Sequence, residues 1–181
     1  MEEERKKSEV GKMKLIAAAD RNWAIGRDNR LLVQIPADMQ KFRNLTVGNV
    51  IVAGRKTFES FPGGKPLPGR INIVLTGQMD YNKKGIITVH SKEELWEQLK
   101  PYDSDNVFIV GGESVYRMML PYCDTAYITK LDYAYEADTW MPNLDKEDGW
   151  GSEQEGEEQT CFDLIYHDVI YKNKKTKCFQ G

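Results

Sequence analysis

Short apolar runs recur along this chain, separated by stretches in which polar residues take over. Met13–Ala19, 47–53, 70–76, Ile86–Val89 and 106–110 are rich in Val, Ile and Leu and read as buried strands. Residues 125–130 form a further strand, and 161–171 alternate well enough for a last one. Between the strands the apolar positions move to helical spacing. In 36–45, Ile35, Asp38, Phe42 and Leu45 fall on one side with Met39 beside them, and Pro36 suits a first helical turn. A short helix to Ser60 follows Gly54-Arg55-Lys56-Thr57. Lys92–Leu99 is helical, with Ser91 as N-cap and Glu94 at the capping-box position. A helix over 113–120 stops at Pro121. Residues 20–30, with Gly26 and Asp28-Asn29, and 61–69 (FPGGKPLPG) read as loops.

Strands alternating with helices predict an α/β fold with a twisted, mostly parallel sheet flanked by helices. The final two strands have no helix between them and therefore pair antiparallel, as a C-terminal hairpin. Residues 132–159 carry ten Asp/Glu against Lys146 alone, which suits irregular structure and a surface strand. Residues 1–12 read as a mobile leader, 13–171 as a single domain, and 172–181 as a solvated basic tail.

Composition narrows the class. In 181 residues, 40% hydrophobic and 29% charged with formal net charge −3, one well-buried domain is expected. With 25 Lys+Arg against 28 Asp+Glu and no long basic segment, nucleic acid is not an expected partner. No apolar run approaches the roughly 20 residues of a membrane span. The start of the chain lacks an apolar signal core, so the expected location is cytoplasmic. Cys123, Cys161 and Cys178 are far apart and odd in number, which suits reduced thiols. With only His90 and His167, neither a zinc site nor a His-based triad has material, and no metal is expected. The chemistry then falls to a borrowed cofactor.

Candidate sites carry paired readings. Asp38 either helps start its helix through the dipole or is a carboxyl on an apolar face, poised to trade protons. The junctions at Gly54-Arg55-Lys56-Thr57 and Gly111-Gly112-Glu113-Ser114-Val115 each follow a strand. Each is either a tight turn and solvated surface or a place where backbone and cations meet phosphates. Two of them suit an extended anionic ligand, and Arg55 with Lys56 suits an extra phosphate. No GxGxxG is present. Arg70, after the rigid Pro66-Leu67-Pro68-Gly69, is a surface arginine or a bidentate carboxylate binder. Thr129 could bridge to Asp38.

The order of motifs resembles dihydrofolate reductase of the bacterial chromosomal type, from about Met13 to about Tyr171. It is carried by Leu15-Ile16-Ala17-Ala18, Ile25-Gly26, Ile35-Pro36-Ala37-Asp38-Met39, Gly54-Arg55-Lys56-Thr57, Leu67-Pro68-Gly69-Arg70, Val110-Gly111-Gly112 and Asp138-Thr139. The resemblance implies a sheet of about eight strands. It implies NADPH-dependent reduction of 7,8-dihydrofolate to tetrahydrofolate, with a hydride to pterin C6 and a proton to N5, feeding one-carbon metabolism. Small-molecule partners would be dihydrofolate and antifolate inhibitors, and the chain would act as a monomer.

By the same resemblance, Asp38 and Thr129 are the catalytic pair. Ile16, Ala18, Leu31, Met39, Phe42, Phe61, Leu67, Val110 and Tyr116 line the substrate pocket, with Arg70 on the glutamate carboxylate. NADPH would lie against Ala18, Ile25 and Gly26, then Gly54, Arg55, Lys56 and Thr57. Leu75, Thr76, Gly77, His90 and Val110 to Val115 (Gly111, Gly112, Glu113 and Ser114 between them) complete that site. The family's Gly-Gly peptide is cis, so Gly111-Gly112 is expected to be.

Three departures stand out. Leu31-Leu32-Val33 replaces the usual Leu-Pro-Trp, so Val33 offers no indole donor. Met141 replaces a phenylalanine, and Ser114 stands where some members place arginine. Competing readings are a reductase of the related riboflavin-synthesis type, disfavoured by Asp38 together with Arg70, and a non-catalytic nucleotide-binding protein on the same fold.

Overall fold

The computed structural model describes residues 12–180, so the leader, apart from Lys12, lies outside the described residues. Nine strands form the main sheet: β1 (Met13–Ala19), β4 (Val50–Gly54), β5 (Ile71–Leu75), β6 (Ile86–Val89), β7 (Val107–Gly111), β8 (Cys123–Leu131), β10 (Trp150–Glu155), β11 (Gln159–Cys161) and β12 (Leu164–Asn173). The order is β10-β12-β8-β1-β7-β4-β5-β6, with β11 on β12. All neighbours from β8 to β6 are parallel, and β12 runs antiparallel to both β8 and β10. Among the described residues, four α-helices connect them: α1 (Pro36–Thr46), α2 (Arg55–Glu59), α3 (Lys92–Leu99) and α4 (Glu113–Met119).

Strand alternation divides the interior. Leu15 and Ile109 enter the larger core, while their neighbours Ile16 and Phe108 face the other side with Ile51. On that second side Phe42 and Leu45 of α1 close over them. Pro36 opens α1 at its first turn. Ser91 caps α3 by accepting from the Glu94 N–H at 3.1 Å, but the Glu94 carboxylate accepts from the His90 N–H (2.7 Å), one residue before the cap.

The structure corrects three sequence expectations. The segment 20–30 is not all loop: β2 (Ala24–Arg27) and β3 (Arg30–Leu31) join β9 (Thr139–Trp140) in a small antiparallel sheet, ordered β3-β2-β9. Asp28 and Asn29 make its tight turn at positive φ (51° and 58°). Strands this short leave no readable alternation. Second, 132–159 holds more than the expected irregular structure and surface strand: β10 is that exposed strand, but the short β9 precedes it and β11 begins at the end of the region. Third, the chain end is not simply solvated. Lys172 and Asn173 continue β12, and Phe179 is fully buried, edge-on to Tyr122 at 4.9 Å between centroids. One aromatic among lysines is enough to dock it.

Candidate active site

Asp38 sits in the first turn of α1, partly buried. The Thr129 hydroxyl, on β8, donates to its Oδ1. Burial pushes the Asp38 carboxyl above the usual range, and a nearby Asp168 adds to this. The Thr129 bond and the Lys41 ammonium act in the opposite direction. The result is a carboxyl that can hold or release a proton nearer neutrality.

Beside it lies the second apolar cluster. It gathers Ile16, Phe42, Phe61, Leu67 and Val110, all expected pocket residues, with Ile51, Phe108, Leu45 and Tyr127. Ala18 pairs directly with Thr129 across β1 and β8. Tyr116 is buried and donates from its hydroxyl to the Ile16 carbonyl (2.7 Å); burial pushes its phenol upward. Leu31 and Met39 are not in the cluster: they are 60% and 47% exposed. Arg70 stands at the head of β5. Its Nε donates to the Pro68 carbonyl (3.0 Å) and its Nη1 approaches Thr46 Oγ1 (3.4 Å), rather than an acid. Burial and the neighbouring Arg43 both press its charge, so an incoming carboxylate would be welcome there.

The two glycine junctions are adjacent. β4 and β7 pair with Ala53 opposite Gly111, so Gly54 and Gly112 lie side by side. A Cβ on Gly54 would stand 3.3 Å from Val115 Cγ2 and 3.7 Å from the Gly112 nitrogen; one on Gly112 would stand 3.2 Å from Thr57 Oγ1. The Gly111-Gly112 peptide is cis. Neither α2 nor α4 has a side-chain cap, so this cradle presents bare N–H groups. Arg55, paired with Glu59 at 3.0 Å, and exposed Lys56 stand on α2 next to it. His90 Nδ1 meets the Thr76 carbonyl (2.9 Å), which places His90, Thr76 and Gly77 together beyond β5 and β6. Ile25 packs on the main core, and Gly26 is fixed in the small sheet, where a Cβ would stand 2.8 Å from the Arg30 carbonyl oxygen. Glu113 accepts from the Trp140 N–H (2.7 Å), tying α4 to β9; Ser114 is exposed. Backbone that close, with cations beside it, is a donor set fitted to an extended dinucleotide diphosphate.

The dihydrofolate reductase family model matches residues 12–172. The chain belongs to the dihydrofolate reductase family. It is 36% identical to dihydrofolate reductase of Staphylococcus haemolyticus over 160 residues, covering 86% of this chain and 93% of the relative. It is 34% identical to that of Bacillus subtilis (strain 168) over 163 residues, covering 89% and 94%. Among solved structures, dihydrofolate reductase from Enterococcus faecalis complexed with NADP(H) and RAB-propyl superposes with TM-score 0.79 at 30% identity, covering 91% and 97%.

Within that family frame, the departures have plain structural consequences. Val33 packs against the cluster of Ile35, Leu131 and Tyr166, so a residue that could have carried an indole donor serves packing instead. Met141 is buried in the main core, a volume-tolerant place for it. Sequence reasoning missed Asn72, a buried amide on β5. It accepts from the Leu67 N–H (2.9 Å) and donates to the Leu67 and Arg70 carbonyls (3.0 Å each), which holds the turn carrying both. It missed Asp20, whose buried carboxylate accepts from the N–H groups of Asn22, Ala24 and Tyr135 and so clamps the loop after β1. An Asp just after an apolar run was a readable hint. Lys41 and Asp168 were missed as well. Lys41 could have been found at helical spacing from Asp38, but nothing local points to Asp168. Among the described residues no group of acids, histidines and cysteines is arranged to hold a metal, and no helix is long and apolar enough to cross a membrane.

Proposed function

We infer that this chain catalyses the reduction of 7,8-dihydrofolate to 5,6,7,8-tetrahydrofolate, with Asp38 and Thr129 as its catalytic pair. The single observation that carries the assignment of roles is the Asp38 carboxyl in the first turn of α1, held by the Thr129 hydroxyl and kept above the usual carboxylate range by burial. NADPH, when bound, supplies the hydride to pterin C6. The residues of this chain do the rest. Asp38 bonds the amino group and ring nitrogen of the pterin and keeps an exchangeable proton close to N5, reached through water. Ile16, Phe42, Phe61, Leu67 and Val110 exclude bulk water and hold the pterin ring and its aryl extension, while Arg70 binds the glutamate carboxylate in bidentate fashion.

On the cofactor side, Gly54, Gly111 and Gly112 would let backbone N–H groups reach the diphosphate. Arg55 and Lys56 would hold the 2′-phosphate, with Thr57, Thr76, Gly77, His90 and Ser114 to Val115 around the adenosine half. Ala18, Ile25 and Gly26 would flank the nicotinamide. The enzyme acts as a cytoplasmic monomer without nucleic-acid partners and takes antifolates in the pterin pocket. With 25 Lys+Arg against 28 Asp+Glu and a formal net charge of −3, the chain offers no excess of positive charge for a nucleic-acid backbone.

The test is the loss of NADPH absorbance in the presence of dihydrofolate. Rapid folate-dependent oxidation is expected. Folded protein that oxidises NADPH no faster with dihydrofolate than without it overturns the reading.

A further inference from the structure

Behind Asp38 lies a second charged couple that the reaction as described does not use. Asp168 on β12 stands directly opposite Thr129 in the β8–β12 register, and its Oδ1 lies 3.4 Å from the Thr129 hydroxyl. The Lys41 ammonium, one helical turn after Asp38 on α1, meets that same Oδ1 at 3.1 Å. Three elements thus close a ring: Asp38, Thr129, Asp168, Lys41. We propose that Lys41 and Asp168 are positioning residues that set the pH at which the Asp38–Thr129 couple works. The proposal rests on the reading of Asp38 given above.

A threonine hydroxyl has one proton to donate, and here two carboxylates compete for it. The contact to Asp38 is the short one, and that to Asp168 is long. Lys41 satisfies Asp168, so the hydroxyl stays directed at Asp38. The two charges also bear on Asp38 with opposite sign: the ammonium favours its ionised form, and the second carboxylate disfavours it. The remaining groups around the ring are Gln159, 3.4 Å from Asp168 Oδ2, the Tyr166 phenol on β12, and Glu155 of β10, which lines the same groove as Lys41 and Asp168. The Lys41 and Asp168 side chains are 29% and 34% exposed, open enough for substitution without leaving a buried void.

Opposite signs make the test sharp. The pH dependence of folate-dependent NADPH oxidation is measured for wild type, Asp168→Asn, Lys41→Gln, the double variant, Lys41→Arg and Asp38→Asn, each checked for folding by circular dichroism. Asp168→Asn should move the midpoint of the profile to lower pH and Lys41→Gln to higher pH, each by about half a pH unit. The double variant should return close to wild type, and Lys41→Arg should restore the midpoint. A merely structural pair would lose activity in both single variants without opposed shifts. Shifts in the same direction, or none, overturn the proposal while Asp38→Asn still abolishes the wild-type profile. If Asp38→Asn keeps the wild-type profile, the reading of Asp38 fails and the proposal falls with it.

Discussion

Thr129 on β8 donates its hydroxyl to Asp38 on α1, joining two residues 91 positions apart in the chain. Thr129 is itself 3% exposed, so its hydroxyl is fixed by the sheet. The bond therefore does more than satisfy a donor. It holds the carboxyl in one orientation while the apolar surroundings keep its proton affinity high.

The first expectation concerns chemistry. Asp38→Asn should fold and bind dihydrofolate but lose most of its turnover at neutral pH, by about a hundredfold or more if a positioned proton donor is removed. Activity should partly recover in acid, where solvent supplies the proton. Steady-state rates across pH check it, and equal profiles for wild type and variant would show the role to be wrong.

The same substitution should affect stability with the opposite sign. Burial holds the folded-state carboxyl above its ordinary value, so folding favours the protonated form. That stabilisation is present below the ordinary aspartate range and is lost as pH rises through the raised value. Asp38→Asn should accordingly melt above wild type near neutral pH without ligands. The gap should close as pH falls below about 4, where wild type is protonated in both states. Thermal melts at several pH values read this directly.

Arg55 stands beside the glycine cradle, paired within its own helix to Glu59. Arg55→Ala should raise the KM for NADPH by about tenfold, the loss of one charge-assisted phosphate contact. The KM for NADH, which lacks the 2′-phosphate, should change little. Equal losses for the two cofactors would contradict 2′-phosphate recognition.

Phe179 makes the chain end part of the core, edge-on to Tyr122, with the Lys92 ammonium 5.8 Å from its ring centroid. Phe179→Ala should cost about 3 kcal/mol of stability. Urea denaturation should show this with KM values unchanged; a neutral result would mean the end contributes no packing.

Legibility followed the range of the interactions. The expected spans of β1, β6 and α3 coincide with the structure, because each carries its own period or cap within a few residues. The small sheet of β2, β3 and β9 was hidden, since β2 has four residues and is completed by a partner more than a hundred positions away. At the site, Asp38, Arg70 and both glycine junctions could be picked out by residue type and neighbours. Asn72, which holds the Leu67–Arg70 turn by three hydrogen bonds, looked like any polar residue in a strand.

Hydrophobic period, turn residues and motif order suffice for the α/β class, the family resemblance and the candidate acid, because these are properties of short windows of chain. Which windows become neighbours is another matter. Ala53 opposite Gly111, Ala18 opposite Thr129 and Thr129 opposite Asp168 are registers between strands far apart in the chain. They are set by how the whole sheet orders its strands to bury both faces. The cradle beside Arg55, and the Lys41–Asp168 pair behind Asp38, exist only once that order is chosen.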